Sequence, residues 1–415
     1  MLKATIPSAM TQASATVPPQ ALASGNRQLI PLFFGLAIIL TLFTVWTLKF
    51  GIPHGLIGRT DFRSMYAAGV LERTHPTQLY SLDAQQDIQT RLVSPGEFTL
   101  PFFHPGYEAF LFVPLSFPPY SAAYLTFVFV NIGLIALCVL AGMRVFSVVI
   151  PFLQPRPGMI VFFFLPLSLA ILQGQDSILF LLLLLLVWNQ IDDAHPFRAG
   201  LILAAALFKF QIALPLACLL ALRHGSRFVK GFLVGSAGVA LLSFAASPQS
   251  PSHFVALVRH AALAGGKLGP GGYQGYIFPG QMANFRGLFY ALSHGHLDAH
   301  NLMLVTLAVS VAFLALAALR IRRVSDELLA FSAALLACLL TSYHLYPHDL
   351  SPLLLPILAI AARQPRWNRA LTFTLYLAPI VFFFFTGGPN SFFWVSLPIL
   401  AAALALLFTR PQQPA

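Results

Sequence analysis

Charged residues are scarce in this chain of 415 residues. They make up only 9% of it, with 13 acidic residues against 24 lysines and arginines. A soluble domain carries roughly 25% charged residues, so this chain cannot cover itself with an ordinary water-exposed surface. Cysteine is also scarce. Cys138, Cys218 and Cys338 all lie inside apolar runs, which argues against a disulfide framework or a CxxC metal site and indicates small buried side chains.

Several motifs of soluble enzymes are absent as well. The chain has no Walker loop, no dinucleotide-binding fingerprint, no HExxH and no GxSxG. The glycine-rich stretch 265–275 has no following helix signal, so we expect a lid or linker there rather than a phosphate-binding loop. The net charge of +11 comes from basic residues in twos and threes between apolar runs. That distribution argues against nucleic-acid binding.

Long apolar runs account for most of the sequence, in which 58% of residues are hydrophobic. Runs of about 20 residues are typical of membrane-spanning helices, so we predict an all-α, polytopic membrane protein with about twelve transmembrane helices. We expect a disordered cytoplasmic tail at 1–28. The rest is predicted to comprise a transmembrane module at 29–247 that includes a first long polar loop at 49–119, a second long loop at 248–300, and C-terminal helices at 301–415.

The basic residues in short connections predict the orientation. Twelve lysines and arginines occupy one set of connections, whereas the alternate connections 173–176, 344–349 and 387–390 hold none. We therefore expect the basic set in the cytoplasm and both long loops outside the cell membrane. Basic connections alternate regularly with the others only if the apolar run 199–222 breaks into two short helices near Lys209.

The first long loop is predicted to carry interfacial helices. Phe62, Met65 and Tyr66 begin a helical pattern for which Thr60 is a possible N-cap. Ser81 could cap a second such helix, which continues to Leu92. The apolar segment 102–117 is interrupted by prolines, so we expect an interfacial or re-entrant segment there rather than a full crossing.

Polar residues near the outer side are the candidate site, because charge at membrane depth usually marks a pathway or a functional group. Asp61 could remove a proton from a hydroxyl acceptor, or it could be a helix-start carboxylate favoured by the helix dipole. Lys209 lies in the middle of an apolar run beside Gln211. We expect this pair to bind an anion such as a phosphate, and a snorkelling lysine is the alternative.

Two outer turns hold the remaining candidates. Gln173, Gln175 and Asp176 could contact substrate or form a polar turn between spans. His344 and His348 share a turn with Asp349, and a phosphate or sugar contact is favoured over a metal site because Tyr346 and Pro347 interrupt the helical spacing.

Short motifs recur in order along the chain between Asp61 and Pro356. They are Asp61-Phe62 followed by Tyr66, Phe103-His104-Pro105, Gly174-Gln175, Leu207-Phe208-Lys209, and His348 before Leu353–Pro356. Together they resemble those of glycosyltransferase family 87, polytopic enzymes of the GT-C class related to bacterial mannosyltransferases that use polyprenol-phosphate-mannose.

The resemblance implies a GT-C-like fold with Asp61 as the catalytic base. It also implies a polyprenyl-phosphate-linked donor of a hexose such as mannose, and a hydroxyl of a lipid-linked or glycan acceptor. Lys209, with Arg63 or His348, would stabilise the departing phosphate, and Tyr66 and His104 in the motifs would contact substrate. The reaction would invert the sugar configuration on the extracytoplasmic face of a bacterial inner membrane. No cofactor or metal ion is expected.

A twelve-span secondary transporter, or a lipid or glycan flippase, is the competing interpretation. Such folds usually show two related halves, and the sequence shows no internal repeat. A polytopic acyltransferase is a third possibility, for which His348-Asp349 is the nearest match. The expected partners are therefore the sugar donor, the acceptor and membrane lipids, and not nucleic acid.

Overall fold

The computed structural model describes residues 43, 45–95, 99–149, 161, 164–246, 250–263, 278–363, 368–385 and 388–408. Among these residues every regular element is helical and none is a strand, which confirms the all-α prediction. The chain divides into two compact units, Met1–Phe50 and Gly51–Ala415. The predicted tail, most of the first predicted span and the glycine-rich stretch lie outside the described residues.

Sixteen α-helices follow one another within the described part of the larger unit. They are α1 (Ile52–Leu56), α2 (Phe62–Thr74), α3 (Leu82–Leu92), α4 (Gly106–Phe112), α5 (Tyr120–Val149), α6 (Leu165–Gln173), α7 (Ser177–Asp192), α8 (Pro196–Ala205), α9 (Phe210–Ala246), α10 (Ser250–Leu263), α11 (Phe285–Leu292), α12 (Ala299–Ile321), α13 (Glu327–Thr341), α14 (Leu354–Arg363), α15 (Asn368–Phe385) and α16 (Ser396–Leu407). A π-helical turn at Thr47–Gly51 precedes them, and 3₁₀ turns occur at Pro76–Gln78, Pro114–Ser116, Ala206–Lys209, Pro279–Gln281, Pro347–Leu353 and Gly388–Val395.

Within the described part of the chain, four helical segments are long and apolar enough to cross a membrane. They are Tyr120–Val145, Pro196–Ala246, Ala299–Ile321 and Asn390–Leu407, and three shorter apolar helices accompany them. Leu140 and Leu319 on two of these segments are largely exposed, as expected for side chains that face lipid. In α13, by contrast, every residue from 328 to 340 is buried, which is typical of a central helix. The count of twelve crossings stays a prediction.

The apolar run around Lys209 breaks where the orientation argument requires. The 3₁₀ turn Ala206–Lys209 separates α8 from α9, and Gly225 inside α9 is non-helical, with φ 72° and ψ −158°. Phe197 of α8 meets Gly231, and Ala204 of α8 meets Gly235. These contacts advance together along both segments, so α8 and the part of α9 after Gly225 run in parallel. The segment between Lys209 and Gly225 therefore runs back in the opposite direction.

Both helices predicted in the first long polar loop form, as α2 and α3, but α2 is not a surface helix. Residues 62–72 are all buried, because other helices cover every side of α2 and leave no face for the membrane surface. The predicted cap of α3 is confirmed, since the Ser81 side chain accepts a hydrogen bond from the Ala84 amide at 3.4 Å. The possible cap at Thr60 is wrong: α2 begins after Asp61, and no side chain caps it.

Two buried glutamines of α3 fix the chain that leads into the segment 102–117. Gln89 accepts a hydrogen bond from the Leu100 amide and donates to the Leu100 carbonyl. Gln85 accepts from the Phe102 amide and donates to the Leu79 carbonyl. The helix that follows, α4, has seven residues and is about 10 Å long. It is too short to cross a bilayer of about 30 Å.

Candidate active site

Asp61 lies immediately before α2, and its carboxylate lies next to side chains from two distant turns of the chain. Gln175 Nε2 donates to Asp61 Oδ2 at 2.8 Å, and His348 Nδ1 lies 4.0 Å from the same oxygen. The Asp61 amide donates to Gln173 Oε1 at 3.3 Å. Its side chain is 31% exposed and makes no capping bond to α2. These contacts favour a reactive carboxylate over a helix-start residue.

The turn that brings Gln175 to Asp61 depends on a glycine. Gly174 ends α6 in the left-handed region at φ 65°, which residues with a Cβ rarely adopt. A Cβ at this position would also lie 2.5 Å from Phe62 Cβ. The glycine therefore lets the 173–176 turn pack directly against the residue that follows Asp61.

Lys209 is bound by two carboxylates from distant turns. Its ammonium nitrogen lies 2.8 Å from Asp176 Oδ1 and 2.7 Å from Asp349 Oδ1, and all three side chains are at most 4% exposed. The position is thus a buried ion-pair cluster rather than a snorkelling lysine. Burial alone would raise the pKa of Asp176, but Lys209 and then His104 beside it hold that pKa at about 2.

Asp349 has contacts on both of its oxygens. Oδ1 accepts from Lys209 and from the Ser177 hydroxyl at 3.3 Å. Oδ2 accepts from the Tyr346 amide at 3.1 Å and lies 3.5 Å from His348 Nε2. Burial opposes ionisation of this carboxyl, yet the Lys209 charge next to it keeps the pKa of Asp349 well below its ordinary value. His348 is therefore placed between the carboxylates of Asp61 and Asp349.

His104 and Glu108 extend the cluster on the side of Asp176. His104 Nδ1 lies 2.7 Å from Glu108 Oε2 and 3.4 Å from Asp176 Oδ2. Burial, reinforced by the Asp176 charge, raises the pKa of Glu108 well above its usual range. Burial also lowers the pKa of His104. Both shifts favour the uncharged form of the group concerned.

Three of these residues could in principle hold a metal ion. The ligand atoms of His104, Glu108 and Asp176 lie within 4.8 Å of one another. A divalent cation at that point would, however, meet the ammonium of Lys209, which lies 2.8 Å from Asp176 Oδ1. Like charges at this distance repel strongly in a buried site, so the arrangement fits an internal cation better than a second one.

Four of the predicted site residues lie outside the Asp61 contacts and the Lys209 cluster described above. Arg63 Nε donates to Gln89 Oε1 at 2.9 Å, and the Tyr66 hydroxyl donates to the Pro118 carbonyl at 3.1 Å, within the packing of the first long polar loop. Gln211 is half-buried in the first turn of α9. His344 packs edge-on against Tyr346, and burial lowers the pKa of His344 to about 4.

Two members of the site were missed by sequence reasoning. Glu108 follows His104 by four residues, a helical spacing that could have drawn attention to it. Arg286 is buried in α11, and its Nη1 lies 3.5 Å from the Tyr343 carbonyl, on the turn that carries His344 and His348. An arginine in a polar loop gives no signal of its own, because only tertiary packing buries it.

The chain matches the model of a known protein family. The model of the family described as glycosyltransferase family 87 matches residues 102–347, more than half of the chain. The matched range includes His104, Gln175 and Lys209, whereas Asp61 lies 41 residues before its start and His348 directly follows its end. No curated protein and no solved structure matches the chain significantly.

Proposed function

Because the chain belongs to glycosyltransferase family 87 and is thus a membrane glycosyltransferase, we propose that it transfers a hexose, most readily mannose, from a polyprenyl-phosphate carrier. The acceptor is a hydroxyl group of a lipid-linked or glycan molecule. The family assignment favours this enzyme over the transporter, flippase and acyltransferase interpretations. The observation that carries the proposal is the partly exposed Asp61 carboxylate, held by Gln175 and faced by His348.

The chemistry needs one base. As the acceptor oxygen attacks the anomeric carbon, its O–H bond breaks and Asp61 receives the proton. The bond between the anomeric carbon and the phosphate oxygen breaks with its electrons on the phosphate. Phosphate is a good leaving group, so the paired carboxylates of glycoside hydrolases are not required. A single displacement of this kind inverts the anomeric configuration.

The surroundings of Asp61 support its role as the base. Among the described residues, Gln175 and His348 both contact Oδ2, so we assign the proton transfer to Oδ1. His348 Nδ1 faces Asp61 Oδ2, and its Nε2 faces Asp349. Asp349 therefore orients the imidazole, and the imidazole orients the Asp61 carboxylate.

The leaving phosphate needs positive charge and hydrogen-bond donors at the position where negative charge develops. Lys209 was expected there, but Asp176 and Asp349 already offset its charge. We therefore assign the phosphate to Arg286 and His348. A guanidinium group binds phosphate oxygens in a bidentate manner, and Arg286 is buried next to the turn that carries His348. Gln173, Gln175 and His344 are the proposed contacts for sugar hydroxyls.

We place the reaction on the extracytoplasmic face of a bacterial inner membrane. The support is the distribution of basic residues, which assigns the turns 173–176 and 344–349 to the outer side. Soluble nucleotide sugars are scarce on that side of a membrane, whereas a lipid carrier delivers its sugar at the bilayer surface. The donor class and the orientation therefore support each other.

A donor comparison tests the proposal. Purified protein in lipid nanodiscs is incubated with a membrane-lipid acceptor extract and radiolabelled mannose, carried either by polyprenyl phosphate or by a nucleoside diphosphate. We expect label in the acceptor fraction only with the lipid-linked donor, and polyprenyl-phosphate-glucose in a third reaction tests sugar selectivity. Transfer from the nucleotide sugar alone would contradict the proposal.

A further inference from the structure

Both side chains that approach Asp61 Oδ2 are followed directly in the sequence by a buried aspartate. Gln175 precedes Asp176, and His348 precedes Asp349. The first pair lies in the turn between α6 and α7, and the second begins the 3₁₀ turn before α14. These two turns are far apart in the chain, so something must hold them together for Gln175 and His348 to converge on one oxygen.

Lys209 makes that connection. Its ammonium nitrogen lies 2.8 Å from Asp176 and 2.7 Å from Asp349, at the 3₁₀ turn between α8 and α9. Asp349 is held further by Ser177, the residue that follows Asp176. One cation therefore joins three turns at the point where two of them present a polar side chain to Asp61.

We infer that Lys209 is a positioning residue that clamps the Asp176 and Asp349 turns, so that Gln175 and His348 hold the Asp61 carboxylate in its reactive orientation. The clamp deepens the proposed function and rests on it for the role of Asp61. No bond to Asp61 is made or broken by Lys209 itself. Its contribution is geometric, and a misplacement of about 1 Å at a reacting group can cost roughly 10²-fold in rate.

The alternative role, a direct contact with the donor phosphate, is disfavoured by charge. Lys209 with two ionised aspartates carries a net charge of −1, so a phosphate at the ammonium would lie beside two carboxylates. An anion there would have to displace Asp176 or Asp349. A clamp, by contrast, needs the two short ion pairs that the structure shows.

Removal of the lysine charge has a consequence that depends on pH. In the wild type, Asp176 and Asp349 share the Lys209 cation. In Lys209→Met these two carboxylates would face each other in a buried site without it, so one would bind a proton and hydrogen-bond to the other. The turns would then stay together at low pH and separate as the pH rises through that new pKa. The titratable groups that face the two aspartates are His104, Tyr107 and Glu108 on the Asp176 side, and Tyr343, His344, Tyr346 and His348 on the Asp349 side, with Asp61 beyond them.

The first test is the pH profile of turnover, with saturating polyprenyl-phosphate-mannose, for the wild type, Lys209→Met and the control Lys230→Met. Lys230 is an exposed lysine of α9, so its replacement should leave turnover unchanged. For Lys209→Met we expect a loss of roughly 10²-fold at neutral pH, with partial recovery at lower pH that the wild type does not show. A raised KM for the donor with unchanged kcat and an unchanged pH profile would overturn the clamp and assign Lys209 to the phosphate.

The second test needs no substrate, so it separates the clamp from the proposed reaction. Thermal unfolding is measured for the wild type, Lys209→Met, Asp61→Ala, which removes the acceptor of the Gln175 hydrogen bond, and the double variant. The clamp predicts that the two substitutions are not additive, because Asp61 loses its partners once Lys209 is gone. Additive effects would contradict the clamp, even in an active enzyme. Non-additive effects in a protein that uses no lipid-linked donor would support the clamp and contradict the proposed function.

If Lys209→Met does not fold, the double variant Lys209→Met/Asp349→Asn replaces it in both tests. It removes the lysine and one carboxylate together, so the cluster keeps its net charge. We expect a loss of turnover of similar size, without the recovery at low pH, because the Asp349 carboxylate that would share a proton with Asp176 is gone. Wild-type turnover in this variant would overturn the inference.

Discussion

The two ends of one helical segment carry ion pairs of very different character. At its start, Lys209 lies between Asp176 and Asp349, with side chains no more than 4% exposed. About 20 Å away along the segment, Arg223 pairs with Glu327, whose side chain is 38% exposed. The Arg223 pair lies next to the Ile321 carbonyl and His224, at a connection rich in arginine.

The difference in burial indicates that the Arg223 pair anchors the fold, whereas the Lys209 cluster has a role in the site. In the Arg223–Glu327 pair the arginine side chain is 13% exposed and the glutamate 38%, so water stays near the carboxylate and the pair costs less to form than a fully buried one. Burial of Lys209 and its two carboxylates carries a desolvation penalty of several kcal/mol per ion, which their mutual attraction only partly offsets. A cluster of that kind is weak evidence for stability. Its direct connection to both partners of Asp61 gives it a role in the site instead.

The largest expected contrast is between the two cations themselves. We expect Lys209→Met to lower the free energy of unfolding by about 3–5 kcal/mol, because it leaves buried carboxylates uncompensated. Arg223→Met should cost about 1 kcal/mol, since its partner is exposed to solvent. Chemical denaturation of both variants in the same detergent at neutral pH measures the difference. Equal losses would show that burial does not distinguish the two clusters.

Glu72 is a carboxyl group whose pKa is raised by burial alone, so it can be compared with the aspartates that have a cation beside them. Burial raises the pKa of Glu72 in α2 from its ordinary value of 4.5 to about 7. The folded state therefore binds this proton more tightly than the unfolded state does, so stability is fully present below pH 4.5 and falls as the pH rises to about 7.

Glu72→Gln removes this titration. We expect the variant to match the wild type near pH 4.5 and to be more stable at pH 8, by roughly 1 kcal/mol after allowance for solvent screening. Melting curves at pH 4.5, 6 and 8 provide the measurement. A stability difference that stays constant across this range would show that the Glu72 carboxyl is not perturbed in the fold.

The smallest effect concerns the first long polar loop, away from both clusters. Ser81→Ala should destabilise α3 by about 1 kcal/mol or less, because the Ala84 amide loses its cap. Ser81→Asp keeps an acceptor at this position and serves as the control. The two variants are compared by their melting temperatures, and equal losses would mean that the cap bond contributes nothing.

Features of the fold that depend on residues close together in the chain can be predicted from the sequence. Ser81 precedes a helical pattern, and it caps that helix. The parity of basic residues required a break in the run 199–222, and the chain breaks at Lys209. The position of α2 could not be predicted in the same way, because its helical spacing does not reveal that other helices cover all of its sides.

The sequence predicts individual residues of the candidate site, but not the contacts between them. Asp61, Gln175, His348 and Lys209 were each singled out, because polar residues beside apolar runs are unusual. The pairing of Lys209 with Asp176 and Asp349 joins turns more than 30 residues apart, which no spacing rule relates. Its consequence, a lysine that faces carboxylates where a phosphate was expected, depends on tertiary packing alone.

The central claim is that Asp61 is the base of a glycosyl transfer, and one purified sample of Asp61→Asn tests it most directly. Turnover, donor binding and melting temperature are measured on that sample beside the wild type, with polyprenyl-phosphate-mannose as donor. We predict that turnover falls by about 10²–10⁴-fold, while donor binding and melting temperature change little, because asparagine keeps the shape of the side chain. Near wild-type turnover in the folded variant would contradict the claim and remove Asp61 from the chemistry.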